Sequence, residues 1–252
     1  MTRTRTIAIS LLVVAAIAVG GYLAYDQVLR GDDVASLALP SAEPSSEATD
    51  DPAPTLGTAS GSPATDPSTD ADVSGEWAVG AGSVAGYRVR EQLANLPAES
   101  DAVGRTEDVT GSITVEAAGD AARLTAGTLT VDTTTIQSDE GRRDNRLRSE
   151  GLQTDQFPTA TFTVTQPLEV PAAALGGTAT DVTLVGDLTL HGVTKSVEIP
   201  AQVQLADGTI QVAGSLTFPL SDFDITAPNV GGFIISIADE GTLEFLVAFE
   251  KP

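Results

Sequence analysis

The chain has 252 residues, no cysteine and a formal net charge of −22 at pH 7. The lack of cysteine excludes disulfides, thiol catalysis, iron–sulfur clusters and cysteine-ligated zinc. The acidic excess argues against nucleic-acid binding, which needs a basic surface to displace counterions, and indicates a surface kept soluble by self-repulsion.

Residues 1–30 are predicted to form a transmembrane anchor. Arg3 and Arg5 precede an uncharged run of 19 residues, Ile7 to Tyr25, which would span about 28 Å as a helix, close to the thickness of a bilayer core. Arginines before the run and acidic residues after it predict a single-pass cell-membrane protein with its N-terminus inside and its domain extracytoplasmic. The alternative is a cleaved signal peptide and a secreted protein, but the run is longer than a usual signal core.

Residues 31–75 are predicted to form a disordered acidic linker rich in proline, serine and threonine. The stretch 26–76 holds 11 acidic residues and one basic residue. Such a composition buries too little apolar surface to offset the entropy of ordering. Its simplest role is an extended spacer between the anchor and the domain.

Residues 76–252 are predicted to form one all-β domain because apolar residues recur there with a period of two. One strand has these residues on one face: Val182, Leu184, Gly186, Leu188 and Leu190. Shorter runs are predicted around Ile113 and Val115, around Leu124, and around Leu129 and Val131. Three turns separate later strands: His191-Gly192, Asp207-Gly208 and Asp239-Glu-Gly241.

Eight or more short strands favour a closed antiparallel barrel, which leaves no unpaired edge. A two-sheet sandwich fits the same alternation. One short helix is predicted from Ser138 to Leu152, with Ser138 or Asp139 as its N-terminal cap and Gly151 near its C-terminal end.

Four arginines fall in a stretch of seven residues inside this helix: Arg142, Arg143, Arg146 and Arg148. They could bind a polar or phosphate head group at the mouth of a barrel. The alternative is internal pairing with neighbouring carboxylates such as Asp139, Asp144 and Glu150.

No catalytic or metal-binding motif is evident, so neither an enzyme nor a metal site is predicted. His191 is the one histidine, and its place in a hairpin turn predicts an exposed turn residue rather than a catalytic base. The acid pairs at strand ends match no calcium-loop spacing. Gly231-Gly232 precedes a strand and not a helix, which is unlike a phosphate-binding loop.

Two segments resemble the polyisoprenoid-binding YceI-like family. The first contains Arg143-Asp-Asn-Arg-Leu-Arg148 and, after it, Phe157-Pro158 with Phe162. The second is Gly186-Asp-Leu-Thr-Leu-His-Gly-Val-Thr-Lys195. The resemblance extends over about 77–251.

The resemblance implies a lipocalin-like barrel around a long apolar ligand, and a helix locked onto the barrel by Arg143, Asp144 and Arg148. The chain departs from the family at its first strand, where Gly80 and Gly82 stand in place of an acid and a histidine. Near the following strand, Arg90-Glu91-Gln92 replaces a stretch that commonly holds a second histidine.

The predicted function is a membrane-tethered lipid-binding module whose partners are a bound isoprenoid lipid, of polyprenol or quinone type, and the membrane; no other cofactor is expected. Eight apolar side chains on inward faces are predicted to contact that lipid: Val131, Phe162, Val164, Leu188, Leu190, Phe218, Phe245 and Val247. The alternative is a non-enzymatic envelope scaffold or adhesion domain with a filled core.

Overall fold

The structure is a computed structural model that describes residues 34–39, 73–93, 99–227 and 234–252. The predicted anchor at residues 1–30 and most of the predicted linker lie outside this part of the chain. Within the described part, no helix combines the length and apolar character needed to cross a bilayer.

The described residues form an antiparallel sheet of thirteen strands. Their bounds are β1 Gly75–Val79, β2 Val84–Leu93, β3 Glu99–Thr106, β4 Val109–Ala118, β5 Ala121–Asp132, β6 Gln137–Ser138, β7 Thr159–Val164, β8 Leu168–Val170, β9 Thr180–Leu190, β10 Val193–Ala206, β11 Thr209–Pro219, β12 Ile234–Ile237 and β13 Glu240–Glu250. The helical elements are Gly141–Arg146, Leu147–Gly151, Ala172–Leu175, Thr133–Thr135 and Leu220–Phe223.

Four pairs of these segments each form one bent strand, and the two-residue β6 only extends the sheet beside β3, so the wall of the barrel has eight strands. β13 pairs with β1 near Phe249 and with β2 near Leu243, so β1 and β2 lie end to end along β13. The same holds for β7 and β8 along β5, for β12 and β13 along β2, and for β3 and β4 along the β1–β2 strand. Each strand pairs with the next in chain order, and the last pairs with the first. The predicted barrel of about eight strands is confirmed, and the sandwich is excluded.

Apolar packing fills the end of the barrel formed by the β4–β5 and β10–β11 turns, here called the closed end. Trp77 is 3% exposed there, and its Nε1 donates to the carbonyl of Val73 at 2.9 Å. Val115, Ala122 and Ile210 belong to the same buried cluster. Period-two alternation places these side chains inside because every second residue of a strand faces the barrel axis.

Two predicted hairpin turns are confirmed. His191 and Gly192 have φ of 50° and 76°, and Asp207 and Gly208 have 51° and 76°. Positive φ at both central residues gives the tight turn whose twist matches antiparallel strands.

The expected exposure of His191 is wrong, because the residue is only 9% exposed. Its ring lies edge-on to Phe157, with centroids 4.6 Å apart. Its Nδ1 is 3.0 Å from the carbonyl oxygen of Phe223. The side chain folds under the turn because these two residues supply an apolar contact and a hydrogen-bond partner.

The predicted helix from Ser138 to Leu152 is shorter and differently capped. An α-helix at Gly141–Arg146 continues as a π-helical turn at Leu147–Gly151; together they are called the crossing helix. The cap is Glu140, whose carboxylate accepts the N–H of Arg142 at 3.1 Å. Ser138 cannot act as the cap because it belongs to β6.

Two further predictions about strands are corrected. The predicted turn at Asp239-Glu-Gly241 is a bend within one strand, since Ala238 donates to the carbonyl of Arg90 and β13 then continues along β2. The predicted separate runs around Leu124 and Leu129 are one strand, β5. β3 was not predicted, because its inward positions carry small residues, Ala102, Gly104 and Thr106, and not large apolar ones.

Residues 34–39 lie against the outer wall of the barrel, although they were predicted as unstructured linker. The wall residues Arg88 and Arg105 donate to the carbonyls of Val34 and Ala35. Leu39 is 7% exposed. Composition alone could not reveal this contact because its partners lie far along the chain.

Candidate functional site

An apolar cavity of about 720 Å³ occupies the interior of the barrel. Its lining extends from Leu124 and Phe249 near the closed end to Glu140 and Arg142 on the crossing helix. The last two residues are exposed, so the cavity reaches solvent beside that helix; this opening is called the mouth. The volume lies within the range of about 300 to 1,000 Å³ that is usual for ligand sites.

The eight side chains predicted to contact a ligand all line this cavity. They are Val131, Phe162, Val164, Leu188, Leu190, Phe218, Phe245 and Val247. They come from β5, β7, β9, β11 and β13, and they meet because each occupies an inward position of its strand. Their contact with a ligand stays a prediction.

Two glycines allow aromatic rings to lie along the wall of the cavity. A Cβ atom at Gly186 would be 2.6 Å from Cζ of Phe162, and one at Gly214 would be 2.8 Å from Cζ of Phe245. Each ring therefore occupies the space of a missing side chain on the neighbouring strand. This arrangement leaves the centre of the barrel free.

A second cavity of about 40 Å³ lies at the closed end. Ile113, Leu124, Leu184 and Val212 line both cavities. These four side chains form a collar between the main cavity and the smaller one. The collar sets the depth to which a ligand chain can extend without displacing side chains.

A third glycine, Gly127, lines the main cavity just above this collar. A Cβ atom there would lie 3.1 Å from a methyl group of Ile113 and 3.2 Å from one of Val164. A larger side chain at this position would project into the cavity. The sequence reasoning did not single out Gly127, although its inward register on β5 indicated this position.

Charged and polar groups surround the mouth. Nη2 of Arg143 donates to Oε1 of Glu91 at 2.7 Å, and the same guanidinium pairs with Asp139. The Glu91 side chain is only 4% exposed. Burial lowers the pKa of Arg143, but the carboxylates of Glu91 and Asp139 outweigh it and raise the pKa above its usual value. Arg143 therefore remains charged and holds the crossing helix to β2.

Buried hydrogen bonds attach the crossing helix to the barrel at a second point. Asp144 is 6% exposed and accepts hydrogen bonds from the backbone and side chain of Ser138, at 2.9 and 2.6 Å. Arg148 donates to the carbonyl of Ile136 and to Asn145, each at 3.3 Å. Asp144 and Arg148 thus connect the crossing helix to residues 136–138. The locking role that the family resemblance implies for them stays a prediction.

Three of the four arginines, Arg142, Arg143 and Arg146, line the cavity near its mouth, and Arg148 does not. Arg143 pairs with Asp139, one of the carboxylates named in the internal-pairing alternative, and Arg148 donates to Ile136 and Asn145. Arg142 is exposed, whereas Arg146 is half-buried and has an interaction within the protein.

Tyr87 is a cavity residue that the sequence reasoning missed. Its ring lies over Gly104, where a Cβ atom would be 2.4 Å from Cε1. Burial raises the pKa of the Tyr87 phenol to about 12. Tyr87, Val89 and Glu91 all line the cavity from alternate positions of β2, so the period of two along this strand was the available signal for Tyr87.

The arrangement offers binding rather than a recognisable catalytic centre. His191 does not line the cavity. Lys195, which pairs with Asp222 at 2.7 Å, does not line it either. Across residues 34–39, 73–93, 99–227 and 234–252, no cluster of three or more histidine, aspartate or glutamate side chains could hold a metal ion.

Comparison with known proteins supports the resemblance seen in the sequence. A sequence profile described as the YceI-like domain matches residues 80–249. A UPF0312 protein of Pseudomonas paraeruginosa is 36% identical over 130 residues, which are 48% of this chain and 62% of that protein. Protein YceI of Escherichia coli is 34% identical over 101 residues, 40% of this chain and 48% of that protein. The chain thus spans about half to three fifths of the length of these curated relatives.

Among solved structures, a polyisoprenoid binding domain from Saccharophagus degradans implicated in plant cell wall breakdown is similar in fold. The TM-score is 0.54 at 21% sequence identity, and the match covers 70% of this chain and 98% of that chain. At this identity the likeness shows a common barrel architecture.

Proposed function

The chain belongs to the YceI-like family, as its motifs predicted, and from this premise we propose that it binds a long isoprenoid chain, of polyprenol or quinone type, inside its barrel. The single observation that carries the proposal is an apolar cavity of about 720 Å³ with a polar mouth. An amphiphile with a long hydrocarbon chain and one polar end has the matching distribution of polarity. The Saccharophagus degradans structure is described as a polyisoprenoid binding domain, which supports the same ligand class.

The driving force is removal of apolar surface from water. Each methylene group buried contributes about 0.8 kcal/mol, before the cost of association is subtracted. The rings of Phe162 and Phe245 and the leucines of β9 supply the wall against which the chain packs. Such binding depends on the shape and the apolar surface of the cavity, so the affinity should vary more with the length of the lipid chain than with its chemical details.

The polar end of the ligand lies at the mouth in this proposal. Arg142 and Arg146 line the cavity at its mouth, where Arg143 pairs with Glu91 and Asp139. A hydroxyl, carbonyl or phosphate oxygen can accept from an arginine there without entering the apolar part of the cavity.

The domain is proposed to work outside the cytoplasm, tethered by residues 1–30 and spaced by residues 31–75. The support is the uncharged run of 19 residues with arginines before it and acidic residues after it. Tethering would keep residues 76–252 close to a bilayer that supplies the lipid. We propose a carrier or store without turnover, since the cavity wall offers few reactive groups.

The scaffold alternative requires a filled core and is less well supported. Its main expectation was a barrel interior closed by side chains. A cavity of about 720 Å³ is difficult to reconcile with that expectation.

The test is to purify the full chain from membranes under native conditions and to extract it with organic solvent. We expect an isoprenoid lipid in near-stoichiometric amount, identified by mass spectrometry, and a matching mass shift of the intact protein. An empty protein that also gains no mass when polyprenols or long-tail quinones are added would refute the proposal.

A further inference from the structure

The segment 34–39 is bound on the outer wall by three charged side chains, Arg88, Arg105 and Glu244, here called the outer-wall site. Nη2 of Arg88 donates to the carbonyl of Val34 at 2.7 Å, and Arg105 donates to the carbonyl of Ala35. In the opposite direction, the N–H of Leu37 donates to Oε2 of Glu244 at 3.4 Å. The site therefore recognises the backbone of an extended segment at three successive points.

The outer-wall site is preorganised by its own ion pairs. The Glu244 side chain is only 2% exposed, and its Oε1 is 3.0 Å from Arg105 and 3.5 Å from Arg88. Arg88 is fixed from its other side by Asp101 at 3.1 Å. Buried charges are tolerated where partners satisfy them, so the two guanidinium groups point at the segment in a fixed geometry.

Apolar contact adds to these hydrogen bonds. Leu39 is 7% exposed, whereas its neighbour Ala38 is exposed. Burial of the Leu39 side chain removes apolar surface from water and so stabilises the docked state. The segment thus has both a backbone and a side-chain reason to stay on the wall.

We infer that the outer-wall site docks the chain's own juxtamembrane segment and thereby holds the barrel close to the bilayer. The inference rests on the tethering that we propose for residues 1–30. Eight residues separate Tyr25 from Val34, so docking limits the distance between the wall and the end of the anchor to about 30 Å. Without docking, the 47 residues between Tyr25 and Val73 permit about 160 Å.

This shortening has a physical consequence for lipid transfer. The stretch after the anchor is acidic and proline-rich, so an undocked linker would extend away from the membrane. Docking is intramolecular, and its effective concentration favours the bound state even when the contacts are few. The outer-wall site therefore limits the distance between the cavity and the membrane.

The experiment measures the distance between the barrel and the membrane in the full chain. Because the protein has no cysteine, Ser196→Cys on the exposed face of β10 gives a single position for a donor dye. The chain is reconstituted in phosphatidylcholine vesicles that carry an acceptor lipid. The informative variant is Leu39→Asp, and its matched control is Ala38→Asp, which adds the same charge at an exposed position.

Energy transfer should be high in the parent and in Ala38→Asp. It should fall about twofold or more in Leu39→Asp, because the permitted distance rises several-fold. Hydrogen exchange at the Leu37 amide should accelerate in Leu39→Asp and stay unchanged in Ala38→Asp. A second pair of variants changes the wall instead of the segment. Arg105→Ala should behave like Leu39→Asp. Arg90→Ala should behave like the parent, because the ion pairs of Arg90 in the described residues are with Glu99 and Asp101 and not with residues 34–39.

Equal transfer in the parent, Leu39→Asp and Arg105→Ala would overturn the inference. A chain that does not float with vesicles would overturn it as well, by removing the tether on which it rests. The lipid content of the purified protein separates these failures from a failure of lipid binding, because the substituted residues Leu39 and Arg105 are not among the residues that line the cavity.

Discussion

The two ends of the barrel are held together by different forces. At the closed end, Trp77 and its neighbours pack as an apolar cluster beneath the collar. At the mouth, the crossing helix is attached by the Glu91–Arg143 ion pair and by hydrogen bonds to Asp144. The closed end therefore determines how deeply a ligand can enter and how stable the fold is. The mouth determines access to the cavity, and its contribution to stability depends on pH.

The largest effect is expected from Trp77→Ala at the closed end. Trp77 is 3% exposed, and truncation of a buried aromatic side chain costs about 3 to 5 kcal/mol. Urea denaturation should show this loss in the free energy of unfolding. Lys251→Ala is the control, because Lys251 lies 5.4 Å from the Trp77 ring centroid and its removal should cost about 1 kcal/mol or less. A loss below about 1 kcal/mol for Trp77→Ala would contradict the role of the closed end.

A smaller, pH-dependent effect is expected from Tyr87 at the mouth. Its pKa of about 12 in the folded protein exceeds the ordinary value of 10.0, so the folded state holds the proton more tightly. Below pH 10 both states are neutral. As the pH rises from 10 towards 12 the unfolded state ionises first, and the free energy of unfolding should fall by roughly 2 kcal/mol.

Tyr87→Phe provides the control for this pH dependence. Its stability should lack the part of the alkaline loss that the phenol causes. The difference in tyrosinate absorbance between the two proteins should give a midpoint near pH 12. A midpoint near pH 10 would mean that the phenol is not desolvated at the mouth.

The smallest effect is expected from the two arginines that face the mouth. Arg142→Ala and Arg146→Ala should each weaken binding of a polyprenyl phosphate by about 1.4-fold to fivefold, since ion pairs near the protein surface contribute about 0.2 to 1 kcal/mol. Binding of the corresponding uncharged polyprenol should change less. Arg123→Ala, at an exposed position of β5 away from the cavity, is the matched control. Unchanged affinity for the phosphate in both variants would remove the head-group role.

The sequence was sufficient to predict the barrel and the lining because both follow from a period of two. Phe245 and Val247, for example, could be placed inside from alternation along one strand. The turns at His191-Gly192 and Asp207-Gly208 were predictable because few residues accept positive φ. The family motif around Arg143 also indicated a short helix at this position, which the structure has at Gly141–Arg146.

Features that depend on long-range polar contacts could not be predicted. The burial of His191 depends on Phe157 and Phe223, which are distant in sequence. Glu91 resembles any solvated acid until Arg143 is placed beside it. The docking of residues 34–39 requires Glu244, more than 200 positions away. Local propensity carries no information about such pairs, so the fold was more predictable than the polar parts of the site.

The most direct test of the central claim compares Gly127→Leu with Ala126→Leu by native mass spectrometry in the presence of a long polyprenol. Gly127 lines the cavity, whereas Ala126 is exposed on the same strand. Equal thermal stabilities would establish that both variants fold. If the lipid chain lies inside the barrel, Gly127→Leu should bind about tenfold more weakly or lose the lipid, because a leucine side chain occupies the space above the collar; Ala126→Leu should bind as the parent does. Equal binding by both variants would contradict a ligand site inside the barrel.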